Sequence, residues 1–207
     1  MTSLIFDLDN TLYPHNPQVE ADFAKRIKEY FFNHLSMDFE NEGFNWEKAS
    51  VNIGAYLDEI FKGKEKQRLE FLNYICDVDV SSFAPNPELN RLLKHLPHDK
   101  YIFTDSTLRH VRDTLNQIGV DLGLFKGIFE NADSGFRFKT DPQCHRSFLA
   151  KYRLKAEDCI LFEDNLNNLL PAAEMGITTV LISPLFRGNA SATYQFSDIL
   201  TALKAMF

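Results

Sequence analysis

Leu4-Ile5-Phe6-Asp7-Leu8-Asp9-Asn10-Thr11-Leu12 opens as a short apolar strand and drops at once into an acidic, turn-forming run. A buried strand that ends in carboxylates is the feature from which the rest of the chain is read. From Pro17 to about Leu35, Val19, Phe23, Ile27, Phe31 and Leu35 recur at spacings of four, the mark of one helical face. Further helices are expected over 46–61 and 64–75, and no strand pattern intervenes before residue 82. Beyond Pro85 the pattern changes. Short apolar strands at 101–104, 127–130, 159–163 and 178–182 alternate with helices at 86–95, 107–118, 141–153 and 166–175. Such alternation predicts an α/β fold whose parallel sheet is covered by helices on both faces. The helical block separates the first strand from its partners. The economical arrangement is therefore a core domain of residues 1–14 and 83–207, with a helical cap, residues 15–82, inserted between the first and second strands.

With 207 residues, 44% of them hydrophobic, the chain can bury a sizeable core and still carry a smaller module. Its 29 acidic and 22 basic residues leave a formal net charge of −7, which argues against a surface made to track a nucleic-acid polymer or anionic lipid. An anionic small molecule would have to be attracted locally. Cys76, Cys144 and Cys159 are odd in number and widely spaced, the pattern of neither a disulfide framework nor a zinc site. A reducing, cytoplasmic compartment is expected. No apolar stretch reaches membrane-spanning length and no signal-like segment opens the sequence, so a soluble, unprocessed protein with no membrane partner is expected. Oligomeric state stays open.

In open parallel sheets, ligands bind beyond the carboxyl ends of the strands, where strand order reverses. Asp7 and Asp9 follow the first strand, Thr104 and Asp105 end the second, and Glu163 and Asp164 end the strand that starts at Cys159. Alone, any of these acids would read as a helix cap or turn residue. Together they should converge. Two unit charges about 4 Å apart repel by roughly 4 kcal/mol at an effective dielectric near 20, so several such pairs would exceed a domain's usual net stability. Something positive must sit among them. Oxygen-only ligands select a hard cation, and Mg2+ is the common choice when substrate phosphates share its coordination shell.

The run Asp7-Leu8-Asp9-Asn10-Thr11-Leu12 resembles the first motif of the haloacid dehalogenase-like (HAD) superfamily phosphatases. Phe103-Thr104, Lys139 in Phe138-Lys139-Thr140-Asp141-Pro142, and Phe162-Glu163-Asp164-Asn165 resemble the second, third and fourth motifs, in the family's order. The resemblance covers nearly the whole chain and implies a Rossmann-like core with a helical cap between the first two motifs. It also implies roles. Asp7 would be the nucleophile, Asp9 the acid and then the base, and Lys139 the partner of both Asp7 and phosphate. Mg2+ would be held by Asp7, the Asp9 carbonyl, Asp164 and, directly or through water, Glu163. Thr104 and the backbone around Leu8, Asp9, Asn10, Asp105 and Ser106 would bind phosphoryl oxygens, with a turn or helix cap the alternative for Thr104 and Ser106. Superfamily members that cleave carbon–halogen bonds are implied to lack the second aspartate. Two departures stand out: Asp105 adds a negative charge where Asn or Gly is common, and Glu163 stands where a second aspartate is common.

Asn10-Thr11-Leu12-Tyr13-Pro14 resembles the pyrimidine 5′-nucleotidase branch, which makes a nucleoside 5′-monophosphate the first expected substrate and Tyr13 a candidate specificity residue. A Tyr-Pro turn packed beneath the cap is the other reading. Sugar-phosphate or phosphoglycolate-type phosphatases, a β-phosphoglucomutase-like phosphomutase and a non-catalytic phosphate-binding module are the alternatives. Phe23, Tyr30, Phe31, Trp46 and Tyr56 read either as a substrate pocket or, from their helical spacing, as the cap's core. Hinges at 14–16 and 82–87 are expected to let the cap close and exclude water. His15, His34, His95, His98, His110 and His145 show no ligand spacing, and structural roles are expected for all six.

Overall fold

The computed structural model describes residues 2–36, 57, 59–185 and 191–207. The chain divides into two compact units, Met1–His15 with Val80–Phe207, and Asn16–Asp79. In the first unit, β1 (Ser3–Phe6), β2 (Asp99–Phe103), β3 (Gly127–Phe129), β4 (Cys159–Glu163), β5 (Thr178–Ile182) and β6 (Tyr194–Phe196) form one sheet in the order β3-β2-β1-β4-β5-β6. Every pairing is parallel. The flanking helices are α3 (Pro87–His95), α4 (Leu108–Ile118), α5 (Pro142–Tyr152), α6 (Leu166–Glu174) and α7 (Ile199–Met206), with α1 and α2 in the other unit.

Helix starts follow side-chain chemistry. Asn86, Thr107, Asp141, Asn165 and Asp198 each accept a backbone N–H of the turn they precede, satisfying donors that a helix leaves unpaired. β6 and α7 lie beyond the last strand and helix expected from the sequence. The three residues of β6 are half-buried or exposed and so have no apolar run to announce them, and the strand is held by its ladder with β5.

β1 is central, with Phe6 opposite Ile102 on one side and Phe162 on the other. The chain adds β2 and β3 on one side of β1, then returns to add β4, β5 and β6 on the other. The strand order therefore reverses between β1 and β4, and a crevice opens there beyond the carboxyl ends. Aromatic packing secures the strands that frame it. The Phe6 and Phe162 rings stack at 4.9 Å, and Phe103 stacks on Phe148 of α5 at 4.8 Å while meeting Phe129 edge-on.

The second unit is built on α1 (Pro17–Leu35) and α2 (Glu65–Ile75). Asn16 caps α1, and Pro17 occupies its first turn, where a missing N–H costs nothing. Phe71 meets the rings of Tyr30, Phe31 and Phe61 at 5.1, 5.5 and 5.2 Å, and Tyr30 and Phe31 are buried. With Phe61 and Phe71 these two aromatics belong to the core of this unit. Phe23 is half-buried, whereas Trp46, Tyr56 and most of the helix expected over 46–61 lie outside the described residues. Among the described residues no helix is long and apolar enough to cross a membrane.

Candidate active site

Asp7 is the first residue past β1, and its backbone N–H donates to the Phe162 carbonyl of β4 at 2.9 Å, which fixes it at the reversal point. The chain then turns back on itself. Leu12 N–H donates to the Leu8 carbonyl at 3.0 Å, and Asn10 takes φ 59°, a left-handed conformation that Asn tolerates better than most residues. Leu8 and Leu12 are buried anchors for this turn, which keeps Asp7, Leu8, Asp9 and Asn10 at the strand end.

Lys139 comes from the loop before α5 and is 2% exposed. Its ammonium donates to Asp7 Oδ1, to Glu163 Oε2 at 2.6 Å and to the Phe103 carbonyl at 3.3 Å. Burial opposes the charge on Lys139, but Asp7 and Glu163 outweigh it and hold the lysine above its ordinary range. Asp7 shows the opposite balance. Burial and then Glu163 push its carboxyl well up despite Lys139, and Asp164 is pushed up to about 9 by burial, Glu163 and Asp7. Single oxygens of Asp7, Glu163 and Asp164 lie within 4.8 Å of one another. One ammonium does not balance this nest. The all-oxygen donor set and the surplus of negative charge fit a hard divalent cation.

Asp9 is held differently. Tyr13 Oη donates to Oδ1 at 2.6 Å, Ser106 Oγ donates to Oδ2 at 2.7 Å, and His110 Nε2 lies 2.7 Å from Oδ1. Burial opposes ionisation of Asp9, yet His110, Tyr13 and Ser106 outweigh it and hold the carboxyl down at about 2. Two carboxylates separated by one residue are thus driven in opposite directions by their surroundings. Tyr13 is buried, with its ring 4.1 Å from that of Phe83, so it packs under Asp9 with one ring face already covered.

Thr104 is buried, and its Oγ1 accepts the Ser106 N–H at 3.0 Å, a side-chain turn that still leaves the hydroxyl proton for donation. The cap of α4 is Thr107 and neither Thr104 nor Ser106. Asp105 is no helix cap either; it turns toward the Lys139 loop and accepts the Lys139 N–H at 3.1 Å, and burial pushes it up to about 6.

Two of the six histidines for which structural roles are expected lie buried at the site: His110 touches Asp9 and His145 touches the Lys139 peptide. The buried side of α4 includes His110, Val111, Thr114, Leu115 and Ile118, so the available signal for His110 was a polar residue among apolar ones on a helix's inner face. His145 Nε2 meets the Lys139 carbonyl at 2.8 Å. Burial pushes its pKa down from 6.5 to about 4, so the unfolded chain binds more protons than the native one between those values. Stability from this group is full above pH 6.5 and is lost as pH falls toward 4, by an amount of order 3 kcal/mol. Relative to the native protein, His145→Gln should show a flatter urea-unfolding free energy across that window; an identical pH slope would refute the assignment.

The fold and site together define an α/β protein with a buried lysine among three acidic side chains at the switch point of a parallel sheet. The chain belongs to the haloacid dehalogenase-like hydrolase family, whose model matches residues 1–176. Glyceraldehyde 3-phosphate phosphatase of Methanocaldococcus jannaschii is 26% identical over 194 residues, covering 86% of this chain and 83% of the relative. Among solved structures, an L-2-haloacid dehalogenase aligns with TM-score 0.65 at 16% identity over 99% of this chain and 98% of its own. A HAD phosphatase from Thermococcus onnurineus aligns with TM-score 0.62 at 16% identity over 100% and 98%. The structural likenesses show the fold.

Proposed function

We propose that this protein is a Mg2+-dependent phosphatase that hydrolyses a small phosphate monoester through an aspartyl-phosphate on Asp7. The observation that carries the reading is the approach of Asp7, Glu163 and Asp164 to within 4.8 Å around a lysine that serves two of them. An all-oxygen nest beside a buried ammonium suits a phosphate dianion shared with a hard cation. Asp7, Glu163 and Asp164 would hold the ion with the Asp9 carbonyl, and bound Mg2+ would supply neutralisation of phosphate charge.

Lys139 neutralises a second share of that charge and holds Asp7 in place through its hydrogen bond to Oδ1. Asp7 attacks phosphorus in line with the leaving oxygen, which divides a slow hydrolysis into two displacements. Asp9 gives a proton to the leaving alkoxide and later takes one from the water that cleaves the aspartyl-phosphate. Held at about 2 in the free protein, Asp9 is set as a base; a phosphate dianion beside it raises its affinity for the proton that the first step needs. Thr104 and the backbone of residues 8–10 and 104–106 donate to the phosphoryl oxygens.

For the substrate, the segment Asn10–Pro14 supports a pyrimidine nucleoside 5′-monophosphate, while the name of the curated relative supports a triose phosphate. Release of inorganic phosphate from a panel of nucleoside monophosphates and sugar phosphates, with Mg2+ and with a chelator, decides among them. Turnover of one class, dependent on Mg2+, is expected. No release from any monoester, or release untouched by chelation, would sink the proposal.

The raised carboxyls make a separate prediction. Asp7 and Asp164 must lose their protons to bind a cation, so Mg2+ affinity should climb with pH up to about 9, with protons released on binding. Calorimetry at pH 7 in buffers of different ionisation heat should therefore give different apparent enthalpies. Equal enthalpies would mean that the nest is already ionised.

A further inference from the structure

Lys139 stands in a loop between β3 and α5, outside any helix or ladder, so its buried peptide must find partners elsewhere. Both partners are buried or half-buried ionisable side chains. Asp105, directly after Thr104, accepts the Lys139 N–H at 3.1 Å, and His145, on the inner side of α5, places Nε2 2.8 Å from the Lys139 carbonyl. The His145 ring is itself held edge-on against Phe103, whose carbonyl receives the Lys139 ammonium. With its Nε2 facing a carbonyl, His145 carries the proton on that nitrogen.

The loop leading to Lys139 is no relaxed coil. Gly135 and Phe136 both take left-handed conformations, φ 71° and 67°, and a bulky residue adopts that region only when its surroundings impose it. Ser134 Oγ donates to the Arg137 carbonyl and accepts the Arg137 N–H, and Asn131 donates to the same carbonyl. Asn131 also bonds the Asp105 carboxylate. Through Asn131 the loop stem is thereby tied to Asp105, just beyond β2.

We propose that Asp105 and His145 are positioning residues that grip the Lys139 peptide from its two polar sides and so set the ammonium between Asp7 and Glu163. The lysine tail has four rotatable bonds and can reach three acceptors at once only from a fixed Cα. Asp105 thus acts as an acceptor for the lysine loop, and a phosphate ligand in its place is unnecessary. This assignment rests on the phosphatase reading only for its effect on turnover; the grip itself can be tested without any substrate.

The test compares pairs that keep or remove the hydrogen bond. Asp105→Asn keeps an acceptor and His145→Gln keeps a donor, whereas Asp105→Ala and His145→Leu keep neither. In the full chain, hydrogen exchange over residues 137–141 should quicken about tenfold or more in Asp105→Ala and His145→Leu while the β1 and β4 amides stay protected. Binding of inorganic phosphate with Mg2+, and kcat/KM for the monoester found, should fall about tenfold to a hundredfold in the same two variants. Asp105→Asn and His145→Gln should recover both to within about threefold. Unchanged exchange in Asp105→Ala, or an Asp105→Asn as impaired as Asp105→Ala, overturns the proposal. Should Asp105→Ala not fold, the His145 pair decides alone. If the native protein neither binds nor releases phosphate, the phosphatase reading fails, and the exchange measurements still decide the grip.

Discussion

Asp7→Asn is expected to abolish phosphate release, by about 10^4-fold or more, while leaving the fold intact. The amide matches the carboxylate in shape but cannot displace an alkoxide from phosphorus. Folding should survive because two electrostatic effects oppose each other. The substitution removes attraction to Lys139 but also removes repulsion from Glu163 and Asp164, and Lys139 keeps Glu163 at 2.6 Å. In a chelator, the urea midpoint of Asp7→Asn should therefore match or exceed that of the native protein. Its phosphate release, followed over hours with the best substrate of the panel, should stay at background. Residual turnover within tenfold of native would remove Asp7 from the nucleophile's role, whatever the metal dependence.

Lys139→Met makes the opposite pair of demands, because it costs both stability and turnover. Methionine fills much of the lysine's volume, so cavity formation is a small part of the effect. The larger part is charge: Asp7, 4% exposed, and Glu163, 1% exposed, lose the ammonium that neutralises them. Breaking a buried ion pair by removing one partner costs about 3–5 kcal/mol, a large share of the 5–15 kcal/mol typical of a domain. Part of this should return when Mg2+ is added, since the ion enters the same nest. Turnover should not return, because phosphate charge then lacks its second counter-charge; a drop in kcat/KM of about 10^3-fold is expected. Urea unfolding with Mg2+ and with a chelator, beside phosphate release, separates the two effects. Native stability in chelator together with native turnover would show that Lys139 is a bystander.

These two substitutions concern residues that could be picked out along the chain, and the reason is local. An apolar strand followed by an acidic turn, as at Leu4–Asp9 and at Cys159–Asp164, places carboxylates at a strand end whatever the strand's neighbours are. Alternating strands and helices then require a parallel sheet, and a parallel sheet puts all those ends on one edge. The register of β1 beside β4, with Phe6 opposite Phe162, follows the same logic and brings Asp7 level with Glu163.

His110, His145, Tyr13 and Asp105 were harder to read because their chemistry depends on rotation and approach. His110 meets Asp9 across 101 positions, and Asp105 meets the Lys139 N–H across 34. Periodicity indicates which side of α4 is buried, but not that one buried imidazole will stop 2.7 Å from a carboxylate. β6 escaped for a related reason: without an apolar run, only the exposed ladder of β5 makes three ordinary residues a strand.

The order of residues was enough to assign the α/β class and the acidic strand ends, since each follows from hydrophobic period and turn chemistry within a few positions. The packed chain alone decided which groups tune those acids. Asp7 and Asp9 stand one residue apart in the same turn, yet one is pushed up among buried carboxylates and the other held down by His110, Tyr13 and Ser106. Such opposite tuning arises from burial and hydrogen bonds between segments about a hundred residues apart, and no local pattern encodes their distance.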